Sequence, residues 1–222
     1  MTRITVACLD MAGTTVADDG TVLEAFSAAI AERNLPVKDF HGAMAQVRAS
    51  MGQSKIEVFR RLLGDEAAAQ RANASFEDHY AAAVRAGQVC ALPGAAGTIK
   101  HLRDAGIKVC LATGFSPATR DALIAALGWD DLIDLALSPA DAGRGRPAPD
   151  LPLTALIRLR GGAVSELAVA GDTPSDIESG LRAGAGLVAG VLTGTATRAD
   201  LEQAGAPLIL DTIADLPARL PA

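Results

Sequence analysis

Short apolar runs recur along the chain, with amphipathic stretches between them. The first run, residues 4–9, is rich in β-branched side chains and stops at Asp10, which predicts a buried strand. Buried strands that alternate with helices predict a doubly wound parallel α/β sheet. Further strands are predicted at 109–112, 167–170, 187–191 and 208–210, and helices at 95–105, 117–127 and 174–183.

The segment 22–86 differs from the rest of the chain, because it contains helical patterns and no convincing strand. The α/β pattern returns near Pro93-Gly94. We therefore predict a core domain formed by 1–16 and 87–222, with an α-helical cap domain, 17–86, inserted after the first strand. The helices expected in this cap are 23–32, 55–63 and 67–86, and the Gly/Pro-rich stretch 143–149 is predicted to be a loop of the core.

Composition narrows the class of protein. Only 3% of the 222 residues are aromatic although 50% are hydrophobic, so aliphatic side chains must build most of the core. A net charge of -6 argues against a nucleic-acid partner. No apolar run reaches the roughly 18 residues that cross a bilayer, and the first residues lack a signal-peptide layout, so we expect a cytoplasmic protein without a membrane partner. Cys8 and Cys110 lie in apolar runs and are expected to be reduced core residues.

Polar residues follow three of the predicted strands. They are Asp-Met-Ala-Gly-Thr-Thr at 10–15, Thr-Gly at 113–114 and Gly-Asp-Thr-Pro-Ser-Asp at 171–176. Any one of these segments is typical of a turn or a helix N-cap. Ligands of open α/β sheets bind at the carboxyl ends of the strands, so the three segments together predict a functional site.

These segments resemble the haloacid dehalogenase-like hydrolase superfamily, and the resemblance covers essentially the whole chain. It implies a Rossmann-like core with an inserted cap, and Asp10 as a nucleophile that attacks phosphorus. It also implies Mg²⁺, which suits carboxylate and carbonyl oxygens and screens two anionic reactants from each other. The implied ligands are Asp10, Asp172 and the main-chain carbonyl of Ala12, with Asp176 and Thr14 supporting them.

The same resemblance assigns residues to the phosphoryl group. Thr113, the Gly114 amide and Arg146 would hold its oxygens, for which the planar fork of an arginine is well suited. The implied partner is a small phosphonate or phosphate. The resemblance also implies a homodimer formed through the cap.

Ala12 departs from the pattern of most phosphatases in the superfamily. They carry an aspartate two residues after the nucleophile, which protonates the leaving oxygen. An alanine at this position resembles the phosphonatases (phosphonoacetaldehyde hydrolases), which cleave a carbon–phosphorus bond. In that group a cap lysine forms a Schiff base that accepts the electrons of the broken bond. Lys55, in Met-Gly-Gln-Ser-Lys at 51–55, matches the lysine segment of the phosphonatases.

One position argues against phosphonoacetaldehyde itself as the substrate. Phosphonatases typically carry a histidine three residues after the lysine, whereas this chain has Val58. Phosphonatase-like C–P hydrolysis is the leading hypothesis. The alternatives are a phosphate monoester phosphatase of phosphoglycolate type, a sugar phosphomutase and a non-catalytic phosphate-binding protein. The three histidines, His41, His79 and His101, are expected to be surface or structural residues.

Overall fold

The computed structural model describes residues 2–32, 35, 37 and 39–220. Within this part of the chain six strands form a single sheet, and every neighbouring pair is parallel. The strands are Val6–Asp10 (β1), Lys108–Ala112 (β2), Leu135–Leu137 (β3), Leu167–Gly171 (β4), Leu187–Val191 (β5) and Leu208–Leu210 (β6).

The order of the strands explains where a site forms. Across the sheet the order is β3-β2-β1-β4-β5-β6, so the chain builds one half outward from β1, returns, and builds the other half outward from β4. In register, Asp10 of β1 lies opposite Ala112 of β2, and Leu9 lies opposite Ala170 of β4. The topological switch point, where doubly wound sheets bind ligands, therefore lies between β1 and β4.

Helices cover both faces of the sheet, because successive residues of a strand point to opposite faces. On β1, Ala7 and Leu9 pack into one layer of the core, whereas Val6 and Cys8 pack into the other. The helices are Thr21–Ala31 (α1), Phe40–Ala49 (α2), Lys55–Leu63 (α3), Glu66–Arg85 (α4), Ala95–Asp104 (α5), Pro117–Leu127 (α6), Pro139–Ala142 (α7), Asp150–Arg158 (α8), Pro174–Arg182 (α9) and Arg198–Gln203 (α10), with 3₁₀ turns at Val164–Glu166 and Ile213–Arg219.

Along the chain, the four helices α1 to α4, residues 21–85, lie between β1 and the other strands of the sheet. We call them the helical insertion. In the described residues of this segment there is no strand, as the sequence pattern predicts, and α1 and α3 pack against the long helix α4. The division into a core domain and a cap domain at 16/17 and 86/87 stays a prediction.

Aromatic side chains are concentrated at one place in the molecule. Five of the seven in the chain form a buried cluster in which neighbouring ring centroids lie 4.5–6.3 Å apart. Four belong to the helical insertion and the fifth follows β2 in the core, so the cluster joins the two parts. Its members are Phe26, Phe59, Phe76, Tyr80 and Phe115.

Most predicted elements are confirmed. The five predicted strands and six predicted helices all form, with ends that shift by one or two residues, and 143–149 is a loop. Cys8 and Cys110 are buried and unpaired, as expected. Pattern analysis missed β3 and four helices, α2, α7, α8 and α10. Short elements such as the three residues of β3 and the four of α7 offer too few positions for a periodicity to emerge. No helix in the described residues is both long and apolar enough to cross a bilayer.

Replacing Phe76 with alanine tests the aromatic cluster. Phe76 contacts four other rings and is fully buried, so we expect Phe76→Ala to lower the free energy of unfolding by about 3–5 kcal/mol. Urea denaturation followed by circular dichroism measures the loss. Phe40→Ala is the matched control, because Phe40 is 39% exposed, and it should cost less than about 1 kcal/mol. Equal costs for the two variants would contradict this account of the cluster.

Candidate functional site

Three strand ends meet at the switch point of the sheet. Asp10 is the last residue of β1, Thr113 follows β2 and Asp172 follows β4. All three side chains are buried. The parallel pairing of β1 with β2 and β4 brings together residues that lie far apart in the sequence, as the strand-end pattern predicts.

Three carboxylates form a cluster at this edge of the sheet. One oxygen each from Asp10, Asp172 and Asp176 lies within 4.8 Å of the others, and all three residues are buried. Carboxylate oxygens are the ligands that hard divalent cations prefer, and the spacing lets one ion contact all three groups. The sequence analysis gave Asp176 a supporting role, whereas the structure brings its carboxylate into the same cluster.

The turn after β1 and the loop after β5 hold Asp172 from both sides. The Thr14 hydroxyl donates to Asp172 Oδ1 over 3.2 Å, and the Thr195 amide donates to Oδ2 over 3.1 Å. Gly13 has a φ of 86°, and a Cβ on it would lie 2.6 Å from Asp172 Oδ2. Only glycine therefore lets the turn approach this carboxylate so closely.

Asp176 has a structural function as well as a place in the cluster. Thr173 caps helix α9, and the Asp176 carboxylate accepts hydrogen bonds from the Thr173 amide and hydroxyl, which completes a capping box. The segment therefore is a helix cap, and its part in a functional site stays a prediction. The cap fixes the direction in which the Asp176 side chain points.

Arg146 provides the positive charge among these carboxylates. Its Nη1 donates to Asp10 Oδ1 over 2.6 Å and also contacts Asp176 Oδ1, while Nη2 lies 3.4 Å from the Ala112 carbonyl oxygen. The guanidinium is buried, and its Nε has no hydrogen-bond partner among the described residues. A buried donor without a partner is costly, and a phosphoryl oxygen is a suitable acceptor for it.

Burial raises the pKa of Asp172 to about 7, and the negative charge of Asp10 acts in the same direction. The hydrogen bonds from Thr195 and Thr14 oppose this shift, as does the positive charge of Arg146, but they do not cancel it. A divalent cation bound to the carboxylates would favour the ionised form. Ala12 lies in the turn between Asp10 and Gly13, and the ligand role of its carbonyl stays a prediction.

The segment before α3 packs directly on the end of β2. The Lys55 amide donates to the Gly114 carbonyl over 3.2 Å, and a Cβ on Gly114 would collide with the Gln53 carbonyl oxygen. The Thr113 hydroxyl accepts a hydrogen bond from the Phe115 amide over 3.2 Å, which leaves its own hydrogen free to donate to a ligand. The helical insertion thus contacts the strand end that is predicted to hold a phosphoryl group.

Lys55 is buried where the helical insertion meets the core. Only 6% of its surface is exposed, and its Nζ lies 4.9 Å from the ring centroid of Phe115 and 5.9 Å from that of Phe26. Burial, together with the positive charge of Arg146, lowers the pKa of Lys55 from its ordinary value to about 8. The negative charges of Asp10, Asp18 and Glu77 act in the opposite direction. The amine therefore lies within electrostatic range of the carboxylate cluster.

Sequence reasoning missed the loop after β5 and the surroundings of Lys55. The Thr193 hydroxyl donates to the Gly13 carbonyl over 2.7 Å, and Thr195 contacts Asp172. Both threonines follow a predicted strand, so the rule that polar residues at strand ends form the site could have found them. The packing of Phe26 and Phe115 on Lys55 has no local pattern in the sequence. The three histidines, His41, His79 and His101, are exposed, as expected.

Comparison with known proteins is consistent with this geometry. A family model described as haloacid dehalogenase-like hydrolase matches residues 4–184. A phosphonoacetaldehyde hydrolase of Bordetella pertussis is 28% identical, over 79% of this chain and 77% of that protein. "Probable phosphatase IndB" of Dickeya dadantii is 27% identical, over 93% of this chain and 89% of its own length. The crystal structure of a phosphonoacetaldehyde hydrolase-like protein from Oleispira antarctica superposes with a TM-score of 0.81 at 27% identity, over 98% of this chain and 91% of that one.

The raised pKa of Asp172 predicts a pH-dependent stability. The folded protein holds this proton more tightly than the unfolded chain, so the contribution of Asp172 to the stability of the metal-free protein is greatest below about pH 4 and is lost as the pH rises through about 7. An asparagine removes the charge; its side-chain oxygen can still accept from the Thr195 amide, and its NH2 group can donate to the Thr14 hydroxyl instead of accepting from it. We expect Asp172→Asn to raise the melting temperature of the metal-free protein at pH 8 by about 3–6 °C.

Calorimetry in chelator at pH 4 and pH 8 measures this difference, which should largely disappear at pH 4. Asp130→Asn is the control, because it makes the same chemical change at an exposed position. A melting temperature at pH 8 that is unchanged or lower in Asp172→Asn would show that the charge of Asp172 does not destabilise the folded protein.

Proposed function

Since the chain belongs to the haloacid dehalogenase-like hydrolases, we propose that it is a Mg²⁺-dependent enzyme that cleaves the C–P bond of a β-carbonyl phosphonate. Asp10 is the proposed nucleophile, and Lys55 is the proposed amine that forms a Schiff base with the carbonyl. The proposed substrates are phosphonoacetaldehyde and related phosphonates. We also propose that the helical insertion belongs to a cap domain, 17–86, that closes over the strand ends.

The observation that carries this proposal is the environment of the Lys55 amine. An amine must be neutral to attack a carbonyl carbon, and an ordinary lysine is almost entirely protonated near pH 7. Burial of Lys55, together with the positive charge of Arg146, lowers its pKa to about 8. An exposed lysine on a solvated helix face would not have this property.

Ala12 supports C–P cleavage over ester hydrolysis. A phosphate monoester releases an alkoxide, which an acid at this position would protonate, and a methyl group cannot do so. A C–P bond releases carbon, whose electron pair needs an acceptor rather than a proton donor. An iminium on Lys55 provides that acceptor, so the absence of an acid at position 12 does not impair the reaction.

The carboxylate cluster fits a divalent cation. Asp10, Asp172 and Asp176 provide three oxygen donors within 4.8 Å of one another, and the Ala12 carbonyl is a further proposed ligand. When bound, Mg²⁺ supplies positive charge that lets an anionic nucleophile approach an anionic phosphonate. Thr14 and Asp176 support this arrangement through the hydrogen bond to Asp172 and the capping box of α9.

Three groups are proposed to orient the phosphonate. The Thr113 hydroxyl has a hydrogen to donate, and the Gly114 amide lies beside it at the end of β2. Arg146 has an unpartnered Nε among the described residues and reaches Asp10 with Nη1. Donors fixed in this way stabilise the charge of the phosphoryl oxygens during transfer.

The proposed reaction needs no reactant other than the substrate and water. The Lys55 amine adds to the carbonyl carbon and water leaves, which gives an iminium. Asp10 then attacks phosphorus, the C–P bond breaks, and its electron pair moves into the iminium to give an enamine. Water hydrolyses the aspartyl phosphate and releases phosphate. The enamine takes up a proton, and hydrolysis of the resulting imine releases the carbonyl product and the free amine.

A phosphate monoester phosphatase is the second candidate function. It is favoured by the similarity to the Dickeya dadantii protein and by Val58, a buried apolar residue on α3. In that case Lys55 would bind the substrate only through its charge. A substrate with a good leaving group would then compensate for the missing acid at position 12.

A substrate screen tests the proposed function. Purified protein with Mg²⁺ should release phosphate from phosphonoacetaldehyde or another β-carbonyl phosphonate faster than from phosphate monoesters. Chelation should abolish the release, and so should Asp10→Asn, which keeps the volume of the side chain but loses the charge. A strong preference for monoesters would favour the phosphatase, and undiminished turnover by Asp10→Asn would remove Asp10 from the nucleophile role.

The Schiff base predicts a covalent adduct on Lys55. Borohydride added during turnover of a β-carbonyl phosphonate should reduce the imine and leave a stable adduct, which peptide mass spectrometry locates. Lys55→Arg should lose at least about a hundredfold in kcat, because a guanidinium stays protonated and cannot form an imine. Lys100→Arg is the matched control, since Lys100 is an exposed helix residue paired with Asp104, and it should keep full activity.

The pH profile provides an independent check on Lys55. The neutral fraction of an amine rises with pH, so kcat/KM should increase roughly tenfold between pH 7 and pH 9 and level off above its pKa of about 8.

A phosphatase would show no adduct and substantial activity in Lys55→Arg. That result would refute C–P cleavage through an imine and leave the aspartyl nucleophile intact.

A further inference from the structure

A small cavity with a largely apolar lining lies between Lys55 and helix α4. Its volume is about 140 Å³, which equals that of about four or five water molecules in the liquid. Lys55, Gly114 and Phe115 line one side of the cavity, and Asn73, Glu77 and Ser116 also contribute to its wall. The cavity therefore adjoins the proposed carbonyl site, and Gly114 borders both it and the proposed phosphonate site.

Two buried acceptor atoms, on residues that line this cavity, have no partner among the described residues. Asn73 Oδ1 and Glu77 Oε1 are buried, and neither accepts a hydrogen bond from the described residues. The two residues are four positions apart on α4, so they lie on the same face of the helix. A buried carboxylate oxygen without a donor is unfavourable, and such exceptions in a folded protein call for an explanation.

The rest of the Glu77 carboxylate is firmly held. Its Oε2 accepts hydrogen bonds from the Ser116 hydroxyl over 2.6 Å and from the Thr119 hydroxyl, both near the start of α6. The Ser116 and Thr119 hydroxyl hydrogens are thus already used. Glu77 is oriented by the core while its second oxygen stays available as an acceptor.

We propose that Glu77 and Asn73 form a specificity pocket for a substrate that carries a hydrogen-bond donor, a hydroxyl or an ammonium group, on the side of its carbonyl away from phosphorus. This inference rests on the proposed function, because it takes Lys55 as the group that meets the carbonyl. Phosphonoacetaldehyde has only a hydrogen at that place, so it would leave both acceptors unpaired. A hydroxymethyl group in the same place is short enough for the cavity and donates to Glu77 Oε1.

Two probes of nearly equal size test the pocket. They are 3-hydroxy-2-oxopropylphosphonate and 2-oxobutylphosphonate, which differ only in a hydroxyl that replaces a methyl group. Binding is measured by calorimetry on the Asp10→Asn variant, so that the result does not depend on turnover. The hydroxyl probe should bind at least about tenfold more tightly, because it provides a donor for a buried oxygen that has none, which the methyl group cannot do.

Changing Glu77 in the same background assigns the preference to the pocket. Glu77→Met keeps the length of the side chain but removes the acceptor, so the affinity ratio should fall to about one. Asp78→Asn is the matched control, because Asp78 is the exposed neighbour on the same helix, and it should keep the full ratio. If Glu77→Met does not fold, Asn73→Leu removes the second acceptor and should lower the ratio at least about threefold.

The outcomes separate this inference from the proposed function. Equal affinities for the two probes, no detectable binding of either, or a ratio that survives Glu77→Met would each overturn the specificity pocket. Phosphate release from these probes by the unmodified protein is measured in parallel. A preference in binding without any release of phosphate would uphold the pocket and refute C–P cleavage.

Discussion

The arrangement of this protein depends on three buried carboxylates that must share a small space. Asp10, Asp172 and Asp176 repel one another in a medium that screens charge poorly, and Arg146 is the guanidinium that contacts two of them. The surrounding structure supplies hydrogen-bond donors to this cluster from separate segments. The turn after β1 and the loop after β5 hold Asp172, and the first turn of α9 holds Asp176. The charges of such a site suit a cation beside the carboxylates and an anion beside Arg146.

The aromatic cluster complements the acidic one. The chain has few aromatic residues, and it places most of them where the helical insertion meets the core. Their rings exclude water from Lys55 while leaving its amine near the carboxylates. Burial thus favours the uncharged form in both regions, because it lowers the pKa of Lys55 and raises that of Asp172. Lys55 therefore loses its proton at a lower pH than an exposed lysine would.

The sequence allowed most of the core and the ends of its strands to be predicted, because both depend on local patterns. Apolar runs define the strands, and the polar residues that follow them, such as Asp10 and Asp172, converge because the strands are parallel. The position of Glu77 could not be predicted in this way. It depends on how α4 docks against the start of α6, which brings together residues 39 positions apart without any periodicity. Short elements such as β3 were missed for a different reason, because three residues are too few to show a periodic pattern of apolar positions.

The position of β1 in the sheet has a consequence for how the chain is made. β1 is the first strand to leave the ribosome, yet its neighbour β4 follows about 160 residues later. At typical rates of synthesis that interval lasts about 10–30 s, during which one edge of an apolar strand has no partner. The early chain must therefore rely on its helices or on chaperones to protect that edge. The strand that carries Asp10 is thus the first of the six to be synthesised, yet it gains its second neighbour only after β2 and β3 have been made.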